Sequence, residues 1–281
     1  MESIAKTYFD GEFFNVKDTL ECGQIFRYTP YKKGYRIFSK DKCAYVYNEC
    51  GYAVVEGNLT NGDYFENFFD VKRDYESIVN SAKKENVKIL SLAAERGKGI
   101  RILKQDKIEM LFSFIVSQNN NIPRIKGIIE RLCTALGEKK VFDGEEYYAF
   151  PTPEKMAKES VEFYKSIGLG YRAEYIKSLA EKIVNGFDVE SLSALNTKDL
   201  KKALTSIYGV GPKVADCVAL FGFYRTDSFP VDTWIEKVYM EDFKGTIKDR
   251  AKIADYLVSR FGKNAGYYQQ YLFHYKRMGE K

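Results

Sequence analysis

The stretch "SIYGVGPKVADC" (206–217) places Lys213 directly behind two glycines and a proline. A charged lysine there suits a phosphate, whereas the same amine without its proton is a nucleophile for an electrophilic carbon. A free lysine has a pKa of about 10.4, so roughly one molecule in a thousand is neutral near pH 7.4. The positive end of a helix disfavours the ammonium, and burial disfavours it further. The second group is Asp232, in "SFPVDTWIEKV" (228–238). At the start of a predicted helix an aspartate is a favoured cap, and a capping carboxylate stays ionised. Beside a sugar, such a carboxylate stabilises positive charge developing at C1′. Lys213 and Asp232 are therefore a candidate pair for breaking an N-glycosidic bond. The plainer roles are a phosphate contact for the lysine and a helix cap for the aspartate.

The elements around the pair follow from local patterning. Helical spacing on both sides of "GVG" leaves a tight corner. Gly209 and Gly211 can both take positive φ, which lets backbone N–H groups converge on an anion. Pro212 suits the first turn of the following helix, whose own unpaired N–H groups add to the seat. Such a seat holds a phosphate without base preference. A corner that binds nothing satisfies the same glycines.

The rest of the 281-residue chain falls into two parts. Within residues 1–60, "GYRIFSK", "CAYVYNE" and "YAVVEGN" read as short strands, with "SKDK" and "NECG" as hairpin turns between them. Short links imply an antiparallel meander. From about Asp63 the apolar period becomes helical, in "DYFENFFDVKRDYESIVNSAKK" and more strongly in "QDKIEMLFSFIVSQ". "PRIKGIIERLCTALG", "TPEKMAKESVEFYKSIG", "YRAEYIKSLAEKIVNG", "NTKDLKKALTSIYG", "IKDRAKIADYLVSRFG" and "AGYYQQYLFHYKRMGE" continue it. The fold class expected is α+β, an antiparallel-sheet domain over residues 1–104 followed by a helical domain over 105–281. A helix from 63 onward could pack on either part.

Composition narrows the function classes. Forty-four Lys+Arg against 39 Asp+Glu give a net charge of +5, compatible with nucleic acid without demanding it. The single histidine, His274, argues against a His-based triad or a His-rich metal site. Five cysteines show no C-x-x-C spacing, so reduced thiols and no metal are expected. With no long apolar run and no apolar leader in "MESIAKTYFDGEFF", neither a membrane span nor export is expected.

Together these segments resemble a known family. "LTSIYGVGPKVADCVALFGF" followed by "FPVDTW" is similar to the helix-hairpin-helix DNA glycosylases. "GIRILKQDKIEMLFSFIVSQNNNIPRIKGIIERLC", "LECGQIFRY" and "GLGYRAEYI" resemble the 8-oxoguanine glycosylases within that superfamily, over roughly residues 15–275. The resemblance implies a twisted sheet similar to half of the TATA-binding-protein fold, ahead of a helical body with the DNA-binding hairpin. It implies a monomer removing 8-oxo-7,8-dihydroguanine from duplex DNA, preferably opposite cytosine, and then nicking the strand without a cofactor. Lys213 and Asp232 match the catalytic positions. Some relatives hold an iron–sulfur cluster on four cysteines after the aspartate; no cysteine follows Cys217 here. The location implied is the bacterial nucleoid, or the nucleus in a eukaryote.

The same resemblance assigns base-reading roles. Gly23 matches the glycine whose carbonyl meets the N7–H of the lesion; by itself it reads as a turn before a strand. Gln269 and Phe273, one helical turn apart, match the residues reading the edge and covering one face of the base. Cys217 matches the cover on the other face. For Phe273 and Cys217, ordinary core packing is the plainer reading. In "SQNNNIPR", Asn119 matches the residue filling the hole left by the base, though helix termination explains such a polar run as well. Arg124 and Arg172 match donors to the orphaned cytosine, and Tyr171 the aromatic wedge. Two positions depart from eukaryotic members: Trp234 replaces a histidine and Lys276 an acid. The resemblance therefore carries over neither that histidine's phosphate contact nor that acid's part in base release. A non-catalytic hairpin module and a glycosylase for another lesion, such as an alkylated base, are the competing functions.

Overall fold

The computed structural model describes residues 4–279. Its first sheet is antiparallel, with strand order β1-β5-β4-β3-β2. The strands are β1 (Ile4–Asp10), β2 (Tyr28–Tyr31), β3 (Gly34–Ser39), β4 (Lys42–Glu49) and β5 (Tyr52–Asn58). The three expected strands are β3 to β5, with Ile37 opposite Ala44 and Val46 opposite Val55. Cys50 and Gly51 both have positive φ, 51° and 82°. That is the type I′ geometry whose twist suits a two-residue hairpin. The edge strands β1 and β2 were not anticipated. One face of the sheet packs under α1 (Val16–Glu21) and α2 (Tyr64–Phe68), where Phe14, Leu20, Ile37, Val46, Val55 and Phe68 meet.

The helical body comprises α3 (Tyr75–Lys84), α4 (Lys88–Arg96), α5 (Lys107–Val116), α6 (Ile122–Leu136), α7 (Pro153–Met156), α8 (Val161–Ser166) and α9 (Arg172–Val184). It continues with α10 (Thr197–Thr205), α11 (Pro212–Phe221), α12 (Thr233–Glu241), α13 (Arg250–Phe261) and α14 (Ala265–Gly279). Glu109 through Val116 of α5 are all buried. A helix apolar on every side belongs at the centre of its domain, and α5 packs on α6, α9 and α11. Two expected single helices are each broken. Asp70 takes φ 49° between α2 and α3, and Asp74 then caps α3 by accepting from the Ser77 N–H at 3.0 Å. Ser160 caps α8 in the same way, separating it from α7. Helix α4 and the hairpin β6 (Lys139–Phe142)–β7 (Glu145–Tyr148) had no counterpart in the sequence reading; Phe142 and Tyr147 cover the other face of the sheet.

Packing divides the chain differently from the expected boundary at 104/105. Helix α2 belongs to the core of the sheet, whereas α3 and α4 share the core of the helical body, with Tyr75, Val79 and Ala93 beside Tyr267 and Tyr271. Among the described residues no helix is long and apolar enough to cross a membrane.

A buried ion pair ties the parts together. Arg27, from the segment before β2, lies 3.4 Å from Glu109 at the start of α5, and both are almost fully buried. Burial pushes the Glu109 carboxyl up, while Arg27 and the Lys40 N–H, at 2.8 Å, hold it down. Arg27 also donates to the carbonyls of Lys40 and Tyr148. Removing one member strands the other charge away from water. We expect Glu109→Ala to cost about 3–5 kcal/mol in urea unfolding, and Arg27→Met in the same chain to recover much of it.

Candidate active site

The "GVG" corner joins α10 to α11. Gly209 has φ +85°, and a Cβ there would lie 2.3 Å from Cγ of Tyr175, so only glycine fits. Gly211 differs from expectation: its φ is −87°, ordinary extended backbone, and no atom lies within 4 Å of where its Cβ would stand. Its value lies in capping α11 without a side-chain acceptor, which leaves first-turn N–H groups available to an anion. The Gln118 side chain, at the end of α5, donates to the Gly209 carbonyl at 2.9 Å and pins the corner to the central helix.

Lys213 is exposed at the start of α11, with Nζ 5.7 Å from the ring centre of Phe114. Cys217, one turn on, is buried; burial pushes its thiol up to about 11, against the pull of the Lys213 charge. Asp232 caps α12, its Oδ1 accepting from the Ile235 N–H at 3.0 Å. Burial pushes the Asp232 carboxyl up, opposed by the N–H groups of Ile235 and Trp234 and by the Lys213 charge. The Lys213 charge is thus felt at both the thiol and the carboxyl.

A second group assembles beside it. The Gln269 amide donates to the Pro230 carbonyl at 3.2 Å, close to Asp232 in the chain, while its Oε1 is buried with no partner. Phe273 follows one turn later on α14 and is half-buried. Gly23 has φ +93°, and a Cβ there would lie 3.2 Å from Cε1 of Phe273. Thus Gly23 from the sheet domain meets Phe273 from the last helix.

The residues assigned to the opposite strand lie around the end of α5. Asn119 is exposed in the left-handed region, φ 46°, where asparagine is better tolerated than most residues. Its Nδ2 donates to the Tyr171 hydroxyl at 3.2 Å. Tyr171 is 49% exposed, as a wedge must be, and Arg124 is exposed on α6. Arg172 departs from expectation. It is buried, and its guanidinium donates to the carbonyls of Gln118, Asn119 and Leu169. Its observed work is to clamp the asparagine loop, and these carbonyls take four of its five N–H donors.

Several positioning residues escaped the sequence reading. Gln24, fully buried, donates to the carbonyls of Thr19 and Arg101 and accepts from the Leu103 N–H. The side chains of Gln105 and Gln270 donate to the carbonyls of Gln24 and Cys22, each at 2.8 Å. These amides flank Gly23 and hold its segment still. Their visible signal is a carboxamide inside an apolar stretch, as in "GQIF" and "YQQYLF". The paired glycines supply a test. Gly209→Ala should cost about 1–3 kcal/mol and weaken duplex binding, while Gly211→Ala should leave the melting temperature nearly unchanged.

Residues 6–111 match the 8-oxoguanine DNA glycosylase N-terminal domain, and residues 112–261 match the HhH-GPD superfamily of base excision DNA repair proteins. The N-glycosylase/DNA lyase of Saccharomyces cerevisiae is 31% identical over 262 residues, covering 82% of this chain and 68% of that protein. Among solved structures, MBOgg1 in complex with a low-affinity DNA ligand superposes over the whole of both chains with a TM-score of 0.93 and 37% identity. The 8-oxoguanine glycosylase/lyase of Clostridium acetobutylicum, bound to duplex DNA with cytosine opposite 8-oxoguanine, matches with a TM-score of 0.91 and 35% identity. That match covers 96% of this chain and 94% of the other.

Proposed function

Because the chain belongs to the HhH-GPD superfamily of base excision DNA repair proteins, with the 8-oxoguanine DNA glycosylase N-terminal domain ahead of it, we propose that it excises 8-oxoguanine from duplex DNA and nicks the strand at the abasic site left behind. The observation that carries this is the placement of an exposed amine, Lys213, where its charge acts on both Asp232 and Cys217. A module that only holds phosphate has no use for a half-buried carboxylate and a buried thiol behind its lysine.

The substrate nucleotide must leave the duplex, at a cost of a few kcal/mol. Asn119 and Tyr171 enter the vacated space, and the hairpin with the start of α11 holds the backbone phosphates. Oxidation at C8 turns N7 of guanine from an acceptor into an N–H donor. The Gly23 carbonyl accepts from it, and normal guanine would leave that carbonyl facing a lone pair. Gln269 offers its unpartnered Oε1 to donors on the base edge. Phe273 and Cys217 cover the two ring faces.

The neutral Lys213 amine then attacks C1′ as the C1′–N9 bond breaks, its electron pair leaving with the base. Asp232 stabilises the positive charge passing through the sugar. Opening of the ring converts the adduct to a Schiff base, which acidifies C2′. Loss of that proton expels the 3′ phosphate by β-elimination. Action on duplex DNA implies a nucleoid location in a bacterium or a nuclear one in a eukaryote. Arg124, exposed near the wedge, favours cytosine opposite the lesion, since cytosine offers acceptors at N3 and O2.

Borohydride should trap a covalent complex with 8-oxoguanine duplex DNA, and no trapped species would leave only a binding module. Lys213→Gln should abolish base release and nicking by at least about a thousandfold and keep duplex affinity within a few-fold. Asp232 acts ionised and its carboxyl is pushed up by burial, so base release should fall as pH drops through that raised value. Asp232→Asn should be slow at every pH and lack this acid limb. An unchanged limb in the variant would assign the titration to another group.

A further inference from the structure

We propose that Arg277 is an additional contact to the extruded base, donating through Nη1 to a purine carbonyl oxygen beside the N7–H that Gly23 meets. The inference rests on the glycosylase reading above. Arg277 lies one turn beyond Phe273 on α14, so Gln269, Phe273 and Arg277 follow one another along a single helix face. Its Nη2 donates to the Glu21 carbonyl. Its guanidinium carbon sits 5.5 Å from the ring centre of Phe273, and Nη1 lies 3.4 Å from where a Cβ of Gly23 would stand. That Nη1 is buried and has no hydrogen-bond partner, and among the described residues Arg277 forms no ion pair.

A buried guanidinium N–H without an acceptor is unfavourable, and more so than a neutral one. The acceptor it lacks is one that substrate supplies. 8-Oxoguanine presents an oxygen on each side of N7, O6 and O8, and Nη1 lies at the junction of Gly23 and Phe273, the residues assigned to N7 and the ring face. When the glycosidic bond breaks, its electron pair passes to the base and spreads onto these oxygens. A cation donating to either one binds the departing base more strongly than the intact nucleotide, so its effect falls on the rate of base release.

Single-turnover base release by the wild type and by Arg277→Met tests this on three duplexes. One carries 8-oxoguanine, one 8-thioguanine, which keeps N7–H and replaces O8 with a poor acceptor, and one 2-amino-8-oxopurine, which keeps N7–H and lacks O6. Nicking of a preformed abasic site reports that the fold and Lys213 are intact. The variant should release 8-oxoguanine about 10- to 100-fold more slowly and nick the abasic site normally. Its deficit should shrink to less than about threefold on the base missing the contacted oxygen, which identifies O6 or O8. An equal deficit on all three bases would show that Arg277 only steadies the Glu21 carbonyl and Gly23, and would overturn the proposal, as would no deficit. Should methionine also impair abasic nicking, Arg277→Lys is read against the same three bases by the same criterion. Failure of the wild type to release 8-oxoguanine would instead sink the glycosylase reading itself.

Discussion

Buried polar groups must find partners, and in this protein the partners lie across the junction between sheet and helices. Gln24 reaches the backbone at Thr19, Arg101 and Leu103; Gln105 and Gln270 reach back to Gln24 and Cys22. Arg27 meets Glu109 and the carbonyls of Lys40 and Tyr148. A sliding of one part over the other would leave several of these groups unsatisfied together. Apolar contacts alone tolerate small slips; this seam does not. The seam also fixes Gly23, from one part, beside Phe273, from the other.

The two helix starts that carry Lys213 and Asp232 are finished in opposite ways. Asp232 caps its own helix, so the carboxylate is oriented, and the N–H groups at the helix start offset part of the burial that pushes its carboxyl up. Gly211 offers α11 no side chain, so the first-turn N–H groups stay open toward an anion. Lys213 projects from that uncapped turn into solvent. Its amine stands 5.7 Å from the ring centre of Phe114. The amine proposed as the nucleophile is thus exposed rather than buried.

The residues around the end of α5 differ in placement in a way that residue types alone hide. Tyr171 and Arg172 are neighbours in the chain, yet one ring is half exposed and the other side chain is buried on the carbonyls of the asparagine loop. The arginine shapes the loop that presents Asn119, and the tyrosine occupies the surface. A tyrosine series, Tyr171, Tyr175 and Tyr208, runs edge to face from this wedge to the hairpin, with centroids 5.9 and 4.8 Å apart. Tyr175 also fills the space that a side chain at position 209 would need.

What the chain order determined by itself was local: three strands with their turns, most helices, the glycine corner, and Lys213 and Asp232 each at a helix start. Those features depend on neighbours within a few residues, through side-chain period, capping and backbone freedom. Tertiary structure decided what depends on distant partners. It put α3 and α4 with α14, broke helices at Asp70 and Ser160, and kept Gly211 extended. It also turned Arg172 inward and left Nη1 of Arg277 unpaired beside Gly23. An arginine looks the same in sequence whether its acceptors are solvent, carbonyls or substrate; only the packed chain selects among them.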